Sequence, residues 1–237
     1  MTELLYQTDS YLGEFGAVVT EVVGDGVMLD RTAFYPGGGG QPNDIGRLRS
    51  DDREWAVFKV GRSEGCVVHR LDLDLPPVGT RVRGTIDWEH RYALMRTHTA
   101  MHILCGVIWR DYGASVTGGK MEPLQGRMDF EFERMQRELV SEIEEKINVE
   151  VAAARSVYVR ILPREEAFQI PDLIRTKINL LPPQITQVRV VEIEGLDLQA
   201  DGGTHVANTA EVGPLRIVDY KSKGRINKRL VVRLKAQ

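Results

Sequence analysis

Residues 98 to 102 read HTAMH, two histidines four positions apart in an otherwise apolar run. On a helix, positions i and i+4 share one face with Cβ atoms about 5–6 Å apart, close enough for two imidazoles to bind one ion. The spacing alone is weak, because Thr99 and Ala100 follow His98 where a zinc protease would carry the HExxH glutamate. Two half-buried histidines bonded to their neighbours would look the same, so further donors are needed. The remaining histidines are His69, His90 and His205. His205 lies in LQADGGTHVANT, four residues after Asp201, and Gly202 and Gly203 between them permit a loop that turns both side chains toward one point. A helix pair with a loop pair, His98, His102, Asp201 and His205, makes a plausible tetrahedral set. No Ser/His/Asp set and no paired acids compete with it, and Asp44 and Asp87 read as turn and cap residues.

These residues need elements to carry them. Up to residue 86, short alternating runs such as GAVVTEVV, EWAVFKV and GCVVHRLDL are separated by Gly, Asp and Pro, which predicts a small β-barrel or sandwich. Asp87 is placed to cap a long helix, WEHRYALMRTHTAMHILCGVIWRDYG, that Gly113 ends. A second long helix is expected from about Glu133 to Arg155, then the strand VYVRI, a short helix from Pro163 to Phe168, and strands at QVRVVEI, LRIVDYK and KRLVVRL. The expected fold class is α+β: a β-barrel-like domain over 1–86, then helices on a mainly antiparallel sheet over 87–237.

Composition narrows the function. The 237 residues, 42% apolar, suffice for one large domain or two modest ones. No apolar run approaches the roughly 20 residues of a membrane span, and MTELLYQTDS lacks a basic-then-apolar leader, so a cytoplasmic protein is expected. Cys66 and Cys105 are too few for a disulfide framework. The net charge of −3 makes no general case for nucleic acid. Its distribution says more: the last 24 residues hold eight Lys or Arg (among them Lys221, Lys223, Arg225, Lys228 and Arg229) against one acid, Asp219. That surface could meet phosphates, or it could be an edge strand guarded by lysines. PGGGGQP lacks the GK[ST] ending of a phosphate loop and reads as a tight turn of glycines with positive φ.

Five ordered motifs, TAFYPGGGGQPNDIG (32–46), DWEHRYALMRTHTAMHIL (87–104), ASVTGGK (114–120), DGGTHVANTAEVG (201–213) and YKSKGRINKRL (220–230), together resemble the editing domain of alanyl-tRNA synthetase and its free-standing relatives, the AlaX proteins, in the medium-length form with a glycine-rich motif. The resemblance implies an editing domain over 87–237 and one Zn²⁺ held by His98, His102 and His205. The family's fourth ligand is a cysteine, and Asp201 stands at its place. Three readings follow: Asp201 ligates through a carboxylate oxygen, or it supports three histidines and a water, or Cys105 substitutes from the same helix face.

The implied activity is hydrolysis, in trans, of serine and also glycine wrongly esterified to tRNA(Ala), with alanine spared and no role for DNA or membrane. Thr32 would read the seryl hydroxyl and Gln41 would project an amide into the pocket. Gly38, Gly39 and Gly40 would let backbone approach the terminal adenosine, and the basic residues from Lys221 to Arg229 would grip phosphates. The metal would either activate a water or hold the ester and ribose in place. A tRNA-binding module with a decayed centre, or a metal-dependent hydrolase of small esters, are the rival readings.

Overall fold

Alternation of apolar and polar residues over the first 86 positions produces strands that close on themselves. In the computed structural model, which describes residues 2–51, 53–72, 74–133, 136–175 and 185–236, the chain forms two units, 1–93 and 94–237. In the first unit β1 (Glu3–Leu4) pairs in parallel with β4 (Arg31–Thr32). The strands β2 (Glu14–Val23), β3 (Gly26–Leu29), β5 (Gly46–Arg49), β6 (Glu54–Ser63), β7 (Cys66–Leu71) and β8 (Arg81–Ile86) form a closed barrel in the order β2-β3-β7-β6-β5-β8. Closure leaves no unpaired edge, and the inward side chains, including Phe15, Val19, Val27, Leu29, Leu48, Trp55 and Val82, fill it. Gly84 is required here, since a Cβ would stand 2.5 Å from the Phe15 ring.

Asp87 caps α1 (Trp88–Tyr112), its Oδ1 accepting from the His90 amide at 3.0 Å, and Gly113, at φ 63°, closes the last turn. From Leu94 to Ile108 every residue is buried, so this stretch is a core helix apolar all round apart from a few polar groups that must find partners.

The second unit holds β9 (Val116–Glu122), β10 (Gln125–Glu131), α2 (Arg137–Ala152), β11 (Val157–Pro163), α3 (Arg164–Ala167), β12 (Gln187–Ile193), β13 (Asp197–Ala200), β14 (Leu215–Ser222) and β15 (Asn227–Leu234). The fold is α+β as expected, but its strands form two antiparallel sheets rather than one: β14-β15-β10-β9 and β11-β12-β13. The hairpin of β9 and β10 and the short β13 are additions to the sequence reading. VTGGKME and QGRMDFE are rich in Gly and charge, and their strand state comes from pairing, β10 with β15 and β9 with β10, rather than from local propensity. The second helix is shorter than expected: Gln136 is its N-cap, and beyond Ala153 the chain turns at Ala154, φ 51°, whose carbonyl accepts from Asn208 at 2.7 Å. The short helix after Pro163 and the strands at VYVRI, QVRVVEI, LRIVDYK and KRLVVRL stand where the sequence puts them.

Two glycines set how closely α1 is approached. A Cβ on Gly126 of β10 would lie 2.4 Å from the Met101 sulfur. One on Gly106, a turn past His102, would lie 2.9 Å from the Leu196 side chain and 3.1 Å from Asp197 Cβ. The second approach lays the start of β13 against the helix face that carries His102.

Candidate metal centre

His98 and His102 project from one face of α1, and the loop after β13 brings Asp201 and His205 to them. One donor atom from each of the four lies within 4.8 Å of all the others. His98 Nε2 is 3.3 Å from Asp201 Oδ1, His205 Nε2 is 3.5 Å from Asp201 Oδ2, and His102 Nε2 is 3.9 Å from Asp201 Oδ1. Tetrahedral ligands at zinc bond lengths are separated by about 3.3 Å, so the set could close on one small divalent ion with the widest pair drawing in by about 1.5 Å. The donors fit the ion that the motifs imply. Three buried imidazoles beside one carboxylate make an N₃O site, harder than one containing a thiolate. Cys105 is buried on α1 and is not among the four.

Neighbouring groups set which ring nitrogens point inward. His102 Nδ1 lies 2.9 Å from Asp197 Oδ2, and Gln199 Nε2 donates to that same oxygen at 2.7 Å. The Nδ1 proton is thereby committed to Asp197 and Nε2 is left for the ion. His205 Nδ1 is 3.2 Å from Thr99 Oγ1, which accepts from the Val206 amide at 3.2 Å, and it is the Nε2 side of the His205 ring that faces Asp201. Asp201 Oδ2 accepts from the Gly203 amide at 2.6 Å, and Arg189 holds the Asp201 carbonyl at 3.0 Å.

Electrostatics follow from packing. Burial pushes His98 down and His205 well below the usual imidazole value, and Asp201 only partly offsets this in each. Burial also acts downward on His102, but its bonds to Asp197 and Asp201 outweigh it and raise the group to about 9. Burial would raise Asp201, yet the imidazoles around it hold its carboxyl well below the usual carboxylate range. That shift favours a protonated His102 near neutrality, so binding of an ion is expected to release a proton and to tighten as pH rises, which chelator competition at a series of pH values would measure.

Comparison with known proteins gives the site its context. Residues 8–90 match the family model described as tRNA synthetases class II (A), and residues 188–231 match that of the threonyl and alanyl tRNA synthetase second additional domain. The alanyl-tRNA editing protein AlaX-M of Saccharolobus solfataricus is 42% identical over 99% of this chain and 100% of its own length. The chain belongs to the AlaX-M family. The AlaX-M of Methanosarcina mazei is 39% identical over 97% of this chain and 95% of its own. The alanine–tRNA ligase of Ignicoccus hospitalis is 40% identical over 93% of this chain but only 24% of the ligase.

The glycine-rich motif of this AlaX-M chain is a tight hairpin turn. Gly38 and Gln41 exchange backbone hydrogen bonds at 3.0 and 2.9 Å, and Gly37, Gly38, Gly39 and Gly40 all have positive φ. Gln41 is buried. Thr32 is fully buried, with its hydroxyl 2.8 Å from His69 Nε2. Asp44 corrects the reading of a turn residue: it is fully buried, accepts from the Tyr35 amide at 2.6 Å and pairs with the fully buried Arg91 of α1. A carboxylate in an acidic, Asn-flanked turn resembles any surface turn until its guanidinium partner, 47 residues away, is in place. His90 is bonded to the Asn43 carbonyl at 3.2 Å.

The basic C-terminal residues separate into two kinds. Lys228 is buried and donates to the carbonyls of Gly224 and Arg225 at 2.8 and 2.9 Å, and Arg229 makes two hydrogen bonds to Asp129 at 2.7 and 2.8 Å. Lys221, paired with Asp219 at 2.9 Å, and Lys223 and Arg225 are exposed on the β14–β15 hairpin.

Sequence reasoning passed over Asp197 and Thr99. The signal for Asp197 was an acid in a short apolar-flanked strand, four residues before Asp201. Replacing Asp197 by Asn is expected to lower metal affinity about 10–100-fold, because the amide no longer enforces the Nδ1–H tautomer of His102. Competition with a chromophoric chelator measures this, and unchanged affinity would remove Asp197 from the site.

Proposed function

We propose that this protein is a metal-dependent aminoacyl-tRNA deacylase that removes serine from mischarged tRNA(Ala), glycine being a further substrate, and spares the alanyl ester. The observation that carries the reading is the convergence of His98, His102, Asp201 and His205 on one point in a chain that matches AlaX-M proteins end to end. An activating pocket shaped for alanine cannot strongly reject serine, which only adds a hydroxyl, so a second site must select for that hydroxyl. A site that hydrogen-bonds the seryl group rejects alanine by leaving its own buried polar group unpaired. Thr32 is the residue proposed for this task, with Gln41 beside the glycine-rich turn as a further amide. Because Thr32 is fully buried, a seryl side chain reaches it only when the packing over it opens.

Zn²⁺, when bound, would supply positive charge to polarise the ester or lower the pKa of a water. Asp201 presents a carboxylate oxygen where the imidazoles converge, which supports a working centre over a decayed one. The hairpin charges of Lys221, Lys223 and Arg225 support tRNA phosphates as partner over a small ester, and the match to AlaX-M proteins supports action in trans in the cytoplasm. Among the described residues no helix is long and apolar enough to cross a membrane.

The deciding experiment is deacylation of Ser-tRNA(Ala) and Ala-tRNA(Ala) side by side, before and after chelation. Loss of serine with alanine spared, stopped by the chelator and restored by zinc, is the expected result. Binding of tRNA without cleavage of either ester would make the protein a binding module. Charge reversal of Lys223 and Arg225 together should weaken tRNA binding and flatten the log–log salt slope by about 2. An unchanged slope would take the hairpin out of the interface.

A further inference from the structure

Thr32 and His69, both fully buried in the first unit, form a pair whose hydrogen-bond directions are determined. His69 lies on β7 between β3 and β6, opposite Val27 and Val60. Its Nδ1 stands 3.3 Å from the Val27 carbonyl, which can only accept, so the proton of the ring belongs on Nδ1. Burial holds His69 down to about 4 despite that backbone bond, so near neutrality the ring carries one proton. Nε2 then bears a lone pair 2.8 Å from Thr32 Oγ1, and the threonine hydroxyl must donate to it. The Phe34 amide donates to the same Oγ1 at 3.1 Å. A hydroxyl has one proton and two lone pairs, so a single lone pair of Thr32 is left for any third partner.

The surroundings make the arrangement rigid. The Phe34 ring meets the His69 ring edge to face, with centroids 5.5 Å apart, and opposes rotation of the imidazole. Gly26 lets β3 lie close against β7, where a Cβ would stand 2.6 Å from the His69 carbonyl oxygen. Moving the ring proton to Nε2 would bring an N–H against Thr32 and a lone pair against the Val27 carbonyl, giving up at least the second bond in a buried site.

We propose that His69 is a positioning residue that fixes the Thr32 hydroxyl as a hydrogen-bond acceptor, so that the site selects aminoacyl esters whose β-substituent donates a hydrogen bond and rejects those that can only accept. This rests on the reading of Thr32 as the sensor of serine and adds a polarity to it. The seryl hydroxyl must bring its own proton. A fluorine in place of that hydroxyl is of similar reach but cannot donate, and it is treated as alanine is.

Two measurements on the unmodified protein test this. In ¹⁵N-histidine-labelled protein at neutral pH, the His69 ring is expected to show a protonated Nδ1 and a bare Nε2; a proton on Nε2 overturns the proposal. Among tRNA(Ala) esters, 3-fluoroalanyl should be cleaved at the alanyl rate, after correction for its faster spontaneous hydrolysis. Cleavage at the seryl rate overturns the proposal.

Variants then separate the two readings. His69→Phe keeps an aromatic ring against Phe34 but removes the acceptor, and the ratio of seryl to alanyl kcat/KM should fall about tenfold. In a Thr32→Val background the same change should have no further effect on that ratio. If Thr32→Val leaves the ratio unchanged, the sensor reading fails and the polarity with it. If Thr32→Val lowers the ratio while a folded His69→Phe does not, the sensor stands and the role of His69 is overturned.

Discussion

Replacing His102 by alanine is expected to abolish metal binding and deacylation together. The ring supplies one of four converging donors, and its Nδ1 is already committed to Asp197. Loss of a group that only orients a ligand costs about 10–100-fold in metal affinity, so loss of the ligand itself must exceed about 100-fold. Chelator competition and Ser-tRNA(Ala) hydrolysis are measured on the same preparation, with circular dichroism to confirm the fold. Full activity in a metal-free His102→Ala protein would end the metal-centred account.

Asp201→Ala, run alongside, distinguishes its roles. A loss as deep as that of His102→Ala makes the carboxylate a ligand. A loss of only 10–100-fold makes it a support for three imidazoles.

The second large effect is on stability. Arg91 and Asp44 are both fully buried, joined by Nε at 2.9 and 3.1 Å to the two carboxylate oxygens and by a short contact through Nη2. Arg91 also donates to the Ser10 carbonyl at 2.8 Å and the Ala33 carbonyl at 2.6 Å, binding the segment before the glycine-rich turn to the start of α1. Removing the guanidinium leaves a carboxylate uncompensated in the interior, so Arg91→Ala should destabilise the first unit by about 3–5 kcal/mol. Asp44→Ala should cost a comparable amount. The double variant should cost clearly less than the sum, because each single change already forfeits the pair. Urea unfolding of the four proteins gives the cycle. A single-variant cost under about 1 kcal/mol would show the pair to be solvated in solution.

How much of this was legible beforehand differs residue by residue. The HxxxH pair was readable because an α-helix converts a spacing of four into one face, and the apolar run around it declared the helix. His205 and Asp201 were readable as a loop pair only through the glycines between them and the likeness to a known family. Asp197 was not: nothing in DLQA says that its carboxylate faces His102 until Gly106 admits β13 to within contact of α1. The basic tail was visible as composition, but that Lys228 is buried and Arg229 is committed to Asp129 while Lys223 and Arg225 face solvent depends on the register of β15 against β10.

The sequence by itself determined the barrel strands from their period of two, the long buried helix from its cap and its apolar run, and the chemical types gathered for a metal, but not the β9–β10 hairpin or β13, which exist through pairing. Tertiary structure decided how the strands were shared between two sheets, which carboxylate orients which imidazole, and that Thr32 answers to His69. The reason is the range of the forces. Periodicity, caps and turn glycines act within a few residues, whereas the pairs that tune donors here are 37 to 95 residues apart, between Thr32 and His69 and between His102 and Asp197, and exist only once packing has closed.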